Sequence, residues 1–288
     1  MRVFCLAFVM NCMVLVGSVM AQMSPTSQPA VRGAWLTNVV SDAMYSKEKL
    51  AEAVRYSHEL GLNALFVVVW NRSYTLYPSA VMKQLTGVEI DPKFVGRDPL
   101  REVIDEAKKY NIKVFAWYEF GFSSSYEQAD GGVLIRKKPH WAAIAPNGKI
   151  VSKNKFQWMN AFHPEVQDFM IALVKESVVR YPDLDGIQGD DRLPAVPSEA
   201  GYDEYTVKKY KESHFNEAPP TYTKDHEWVE FRAGLLNDFM RRMSDTLRSA
   251  RKNILISMAP SLYPWAKQEY LQDWPTWLKN GWVDFVCP

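Results

Sequence analysis

Apolar residues along this chain fall into two alternating patterns. Short continuous runs bounded by turn residues read as buried strands. Stretches of about fifteen residues with apolar positions three and four apart read as amphipathic helices. Runs at 31–38, 63–70 and 113–120 are strands, the second carrying Leu65-Phe66-Val67-Val68-Val69-Trp70. Further strands follow at 184–190, 254–259 and 282–286. Helical spacing covers 46–60, 98–110, 163–181 and 226–252, and covers 270–280 with a Pro interruption. Ser46 and Asp98 stand where N-caps belong, Pro99 at a first helical position, and Gly61 just past a helix end. Strand and helix alternate throughout, which predicts a parallel sheet with right-handed crossovers. Three segments show no clear period and are expected as loops: 71–96, 121–162 and 193–224. Loops this long inside a compact domain are usually functional, and each follows a strand.

The chain is organised around Leu184-Asp185-Gly186-Ile187-Gln188-Gly189-Asp190-Asp191-Arg192. This is a short strand ending in two acids. Period-two alternation puts Asp185, Ile187 and Gly189 on one face, and Gln188 and Asp190 on the other. The apolar face would pack on helices and the polar face would point into a site. Six strands in this order predict a TIM-type (β/α)8 barrel, an α/β fold, cut short after about six strands. The chain stops at Cys287-Pro288, inside the sixth unit. Barrel enzymes build their sites at the C-terminal ends of the strands, where Asp190 stands. The bland alternative for Asp191 is a turn cap.

In the third strand Phe115, Trp117 and Glu119 share a face. An inward direction would bring Glu119 beside Asp190. Neighbouring strands are about 4.8 Å apart. Two such carboxyls could therefore lie about 5 to 9 Å apart, the range used by glycosidase pairs. The competing role for Glu119 is a rim salt bridge. Aromatic rings at or near strand ends and loops could stack on sugars: Trp35, Trp70, Tyr77, Trp117, Trp141, Tyr202, Tyr263 and Trp265. Each alone is more often a core residue. Asn71, Asn160, Gln188 and Arg192 are polar candidates for contacts to sugar hydroxyls.

Composition narrows the function further. The chain has 288 residues, and Lys plus Arg at 34 nearly cancel Asp plus Glu at 33, a net charge of +1. No basic field points to nucleic acid. Residues 1–21 read as a signal peptide: Arg2, an apolar run from Val3 to Val16, then Val19-Met20-Ala21 before Gln22. The run is too short for a membrane span of about 20 residues. Residues 22–30 read as a linker and 31–288 as the barrel domain. Only Cys287 would survive signal removal, so no internal disulfide is expected. The protein is expected outside the cytoplasm, secreted or periplasmic. His58, His140, His163, His214 and His226 form no paired ligand spacing, so neither a metal nor another cofactor is expected. Calcium held by Asp190, Asp191, Asp203 or Glu204 stays open without diagnostic spacing. No phosphate loop and no Gly-x-Ser-x-Gly elbow is present.

Several stretches together resemble the glycosyl-hydrolase-like family ten domain, a group of exported bacterial barrel proteins. They are Arg32-Gly33-Ala34-Trp35-Leu36, Gly61-Leu62-Asn63, Tyr77-Pro78-Ser79, Asp98-Pro99-Leu100, Ala116-Trp117-Tyr118, Pro164-Glu165-Val166-Gln167-Asp168, and Asp185-Gly186-Ile187 with Asp190-Asp191. The resemblance implies a barrel acting on glycosidic bonds of bacterial cell-wall or other polysaccharides, with Asp190 and Asp191 as the acidic pair. This chain departs from the pattern at Gly189 and Arg192, where the family often has an aromatic residue and Tyr. It departs again at Glu119, where Asn is common. The first expectation is therefore a secreted glycoside hydrolase. A carbohydrate-binding barrel without turnover is the alternative, and a metal-assisted hydrolase of glycan amides or esters is a third reading.

Overall fold

The computed structural model describes residues 30–288. The expected signal segment, and the linker up to residue 29, lie outside the described residues. Six parallel strands form the central sheet: β1 Gly33–Leu36, β2 Ala64–Val68, β3 Lys113–Tyr118, β4 Gly186–Gly189, β5 Leu255–Met258 and β6 Phe285–Val286. They lie side by side in chain order. Five helices cross between them: α1 Lys47–Glu59, α2 Pro99–Lys108, α3 Pro164–Arg180, α4 His226–Ala250 and α5 Trp274–Lys279. This is the α/β barrel pattern carried through six strands, with β1 and β6 as open edges among the described residues.

Two contacts across the inner face reveal how strongly the sheet curls. Trp35 Nε1 on β1 donates to Gln188 Oε1 on β4 at 2.7 Å, although two strands lie between. The rings of Phe115 on β3 and Phe285 on β6 meet edge to face at 5.8 Å. Register places Phe115 level with Gly186 and Leu255. A side chain at Gly186 would run into the Phe115 ring at 2.4 Å, so glycine leaves room for that ring to fill the barrel floor. The outer face packs on helices, as alternation predicts. Tyr118 turns outward and its hydroxyl donates to Ser177 Oγ on α3 at 2.8 Å. Val166, Met170, Leu173 and Val174 line the buried face of α3.

The caps fall where the sequence puts them. The Ser46 side chain accepts from Lys49 N, and Asp98 accepts from Arg101 N. The long segments after the strands are more structured than their lack of period predicts. Residues 71–96 complete a hairpin, Trp70–Asn71 against Tyr74–Thr75, and add the helix Ala80–Thr86. Residues 121–162 form a three-stranded antiparallel sheet of Ser123–Tyr126, Phe156–Trp158 and Ser152–Lys153. Residues 193–224 contain the helix Glu204–Ser213. The expected helix over 270–280 is two helices, Trp265–Tyr270 and α5. Leu271 takes a left-handed φ of 60° that ends the first. Pro275 does not interrupt the second but stands in its first turn, where its missing N–H costs nothing. No helix among the described residues is long and apolar enough to cross a membrane.

Candidate active site

Three carboxyls gather where β3 and β4 end. Glu119 follows β3 on its inward face. Asp190 and Asp191 follow β4. Arg192 ties them together. Its Nη2 donates to Asp190 Oδ2 at 2.8 Å, and its Nε donates to the backbone oxygen of Glu119 at 2.9 Å. Its Nη1 lies 2.8 Å from Asp191 Oδ1. That last contact is an ion pair without hydrogen-bond alignment, since the buried Oδ1 has no hydrogen-bond donor. The guanidinium rests over the Phe156 ring at 4.7 Å, and this ring belongs to the antiparallel sheet after β3. Arg192 thus occupies the middle of the cluster.

The backbone fixes the spacing of these groups. Phe122 N donates to Arg192 O at 2.9 Å, joining the two strand ends. Gly121 lies directly against that carbonyl. A Cβ there would sit 2.0 Å from Arg192 O, and the residue has φ of 47°. Both facts demand glycine. Gly189 is equally constrained, because a Cβ would meet Met258 Sδ at 2.4 Å and Leu193 O at 2.6 Å. An aromatic residue cannot stand there with the backbone folded this way.

Burial raises all three acids. The Asp190 side chain is 17% exposed. Loss of hydration pushes its pKa up to about 7, with Arg192 opposing and the charges of Asp191 and Glu119 adding to the rise. Asp191 is raised by burial too, again opposed by Arg192. Its side chain is 44% exposed overall, so the burial falls on one oxygen of the carboxyl. Burial also raises Glu119, against Arg192 and a hydrogen bond from Asn71. Asn71 Nδ2 reaches Glu119 Oε2 at 2.5 Å and Asn38 Oδ1 at 3.2 Å. Glu119 therefore makes no rim salt bridge. Asn71 precedes a tight turn whose residues Arg72 and Ser73 both have positive φ.

The remaining candidates separate. Trp35 and Trp117 face the inside of the curled sheet, with ring centroids 6.3 Å apart, and Trp35 is 47% exposed. Gln188 lies beneath the acids, fully buried. Its amide is engaged by Trp35 and by Ser257 Oγ at 3.0 Å, so it orients Trp35. Four others are core residues. Trp70 donates to Gly121 O, Tyr77 to Leu173 O, Trp141 to Glu165 Oε2, and Asn160 to Thr206 Oγ1. All four are buried: the three rings gain most where their polar tips also find partners, and the Asn160 amide is buried because it is hydrogen-bonded. Tyr202 is likewise committed, donating to Pro220 O and accepting from Trp228 Nε1. Tyr263 and Trp265 stay half exposed on the segment after β5.

One residue that the sequence did not single out lies within reach of the acids. Tyr270 accepts from Asn154 Nδ2 at 3.2 Å. Its phenol is raised by burial and then by the charge of Asp191, which puts it within electrostatic reach of that carboxyl. Asn154 and Lys155 form a two-residue hairpin turn with both φ positive. Asn at such a turn is the one signal that marked a hairpin here. The adjoining Lys153 bridges Glu199 at 3.2 Å and Glu269 at 2.8 Å, binding together the segments after β3, β4 and β5. Cavities elsewhere, among them one of about 710 Å³ lined by Val207, Lys211 and Phe215, hold none of these acids. Among the described residues no group of three or more His, Cys, Asp or Glu is arranged to hold a metal ion.

Residues 30–288 match the model of a protein family described as Glycosyl hydrolase-like 10. The chain is 24% identical over 295 residues to the glycosyl hydrolase DigH of Escherichia coli strain K12, across 93% of this chain and 63% of the relative. It is 22% identical over 296 residues to the glycosyl hydrolase YngK of Bacillus subtilis strain 168, across 91% of this chain and 54% of that protein. The chain thus spans less than two thirds of either relative. Among solved structures, an exo-β-N-acetylglucosaminidase from Vibrio harveyi, in complex with N-acetylglucosamine, superposes on 79% of this chain and 35% of its own. The TM-score is 0.53 at 14% identity, a likeness of fold.

Proposed function

Because the chain belongs to the Glycosyl hydrolase-like 10 family, we propose that it is the catalytic barrel of a glycoside hydrolase acting on a bacterial cell-wall or other polysaccharide. The observation that carries this reading is the acid cluster at the C-terminal ends of β3 and β4, where burial and like charge raise the carboxyls. Asp190, with a pKa near neutrality, is the proton donor. It protonates the glycosidic oxygen as the bond from that oxygen to the sugar carbon breaks. Asp191 works as the ionised partner. It either attacks that carbon or takes a proton from the water that does. Arg192 holds both aspartates, and its pairing shifts toward whichever carries charge as the proton leaves. Glu119, held by Asn71, adds negative charge beside Asp190 and helps to keep its proton on. Trp35 offers the sugar an apolar face.

Residues 1–21 would direct export, and the mass of the mature N-terminus checks this. A barrel that binds glycan without turnover draws on one observation: Arg192 already engages an oxygen of each aspartate. One experiment separates the two readings. The full-length mature protein is incubated with a panel of bacterial glycans, including peptide-free peptidoglycan strands. New reducing ends are sought by mass spectrometry, with Asp190→Asn run beside the wild type. Cleavage by the wild type alone supports the hydrolase. Equal cleavage by both removes Asp190 from the mechanism. Binding without cleavage of any glycan favours the alternative.

A further inference from the structure

A cleft of about 420 Å³ lies between the segment that leads into α4 and the segment after β5. Two tyrosines stand at it from opposite segments, Tyr222, 67% exposed, and Tyr263, 42% exposed. His226 and Gln268 supply polar edges. The cations beside them are already matched within the protein: Lys224 pairs with Glu269, and Lys267 with Glu230 at 2.8 Å. The cleft therefore offers exposed rings and hydrogen-bonding groups without net charge to attract an ion. Sugar rings, apolar on their faces and polar at their edges, match that chemistry.

An ion-pair chain joins the cleft to the neighbourhood of the acids: Lys224 at the cleft pairs with Glu269, which also pairs with Lys153 at 2.8 Å, and Lys153 Nζ stands 4.8 Å over the Tyr270 ring. Gln268 and Tyr270 lie on the same short helix, Trp265–Tyr270, two residues apart and so on opposite sides of it. Gln268 lines the cleft, while Tyr270 bonds Asn154 beside Asp191. Trp265, half exposed, stands 5.5 Å from the Tyr270 ring. The segment after β5 thus carries three rings, Tyr263 at the cleft, Trp265, and Tyr270 within reach of the Asp191 charge.

From this arrangement we infer that the Tyr222–Tyr263 cleft is a distal subsite for uncharged sugar units of the same polysaccharide, remote from the bond that is cleaved. The inference rests on the glycosidase reading for the identity of the chain it holds. The subsite makes binding depend on chain length, because only longer oligosaccharides reach from the acids to the cleft.

The test uses the full-length protein carrying Asp190→Asn, so that bound chains are not cut. Affinity is measured against a length-sorted ladder of whichever glycan the wild type cleaves. If it cleaves none, peptide-free peptidoglycan strands are the probe. Adding Tyr222→Ala and Tyr263→Ala is expected to weaken binding of long chains about tenfold for the two rings together, and to move binding of the shortest chains much less. Both tyrosines are surface residues, so the thermal midpoint should hold. The same length dependence with and without the two rings would overturn the subsite. So would protection of both tyrosines from a water-soluble labelling reagent before glycan is added, since another part of the full-length chain would then fill the cleft. Ring-dependent binding of long chains with no cleavage of any glycan would leave the subsite standing and remove the hydrolase. Cleavage without ring dependence would do the reverse.

Discussion

The two rims of the sheet use the same side chains to opposite ends. At the N-terminal rim Asn63, Asp185 and Asp284 stand just ahead of β2, β4 and β6. Each accepts a backbone N–H from the strand region before it: Arg32 N at 2.7 Å, Val114 N at 2.8 Å and Ile256 N at 2.7 Å. The device repeats at every second strand and ties neighbouring strands together where no chemistry occurs. At the C-terminal rim Glu119, Asp190 and Asp191 face one another and a single guanidinium. A backbone donor is fixed, so it holds one acceptor in one state. A cluster of acids around one arginine can exchange charge and protons. Barrels commonly divide stability and chemistry between their two rims, and on the proposed reading one strand carries both, with Asp185 at one end and Asp190 at the other.

The sharpest way to break this comparison is to exchange the effects of those two residues. Asp190→Asn is expected to lower turnover of the cleaved glycan by about 10²- to 10⁴-fold, the usual worth of a general acid, with the fold retained. Initial rates of reducing-end release measure it, and a loss under tenfold would assign the proton elsewhere. Asp185→Ala should do the converse. It leaves Val114 N without its partner and should cost about 1–3 kcal/mol in denaturant unfolding, while turnover per folded molecule stays as it was. Asp185→Asn keeps an acceptor and should recover most of that loss. A fall in turnover with unchanged stability would contradict the division between rims.

A smaller effect concerns the seam at β4. Gly189→Ala forces a Cβ against Met258 and the Leu193 carbonyl, and overpacking of this kind costs about 1–3 kcal/mol. Because the strain falls on the Asp190–Leu193 turn, turnover should drop along with the unfolding midpoint. Arg192→Gln removes the group that opposes the rise of Asp190. The alkaline limb of the pH–rate profile should then move to higher pH, and a limb that moves down or stays put would take Arg192 out of that role.

A further effect is a pH dependence of stability. The folded pKa of Asp190, about 7, lies above its ordinary 3.8. Between these values the folded state keeps a proton that the unfolded state releases, so this group's contribution is full below about pH 4 and is lost as pH rises toward 7. The stability of Asp190→Asn relative to wild type should therefore improve from pH 4.5 to pH 7.5. Urea titrations at the two values give the comparison. The Asp185 carboxyl is raised as well, by burial and against its bond from Val114 N, so the same sign is expected there.

Much of this arrangement was legible in the residues. Continuous apolar runs placed the strands because a strand buried on both faces leaves no room for polar positions, as in Leu65 to Trp70. Alternation put Tyr118 and Glu119 on opposite faces of the third strand, and the structure turns Glu119 inward. The structure inside the long loops was not legible, because strands of two to four residues are too short to show a period. Their turns also use Arg72-Ser73 and Asn154-Lys155 in place of the Asn-Gly that would have announced them. The aromatic residues misled for a different reason. Trp70 and Trp35 look alike in the sequence, but one indole finds Gly121 O inside the core and the other finds Gln188 under the open mouth. Which acceptor a ring meets is decided by residues 51 and 153 positions away, and no local pattern carries that information.

The seam between Gly121 and Arg192 has a practical consequence for remodelling this protein. The acids take their positions from main chain that is locked on both sides, and the excursion after Ser123 begins only beyond that lock. Within that excursion Phe156 and Lys153 still hold the cluster, so added or exchanged residues belong at the exposed turn 146–149, where the reacting groups keep their places. The scaffold thus has one region that tolerates no added atom and, farther out on the same excursion, an exposed turn with room to vary.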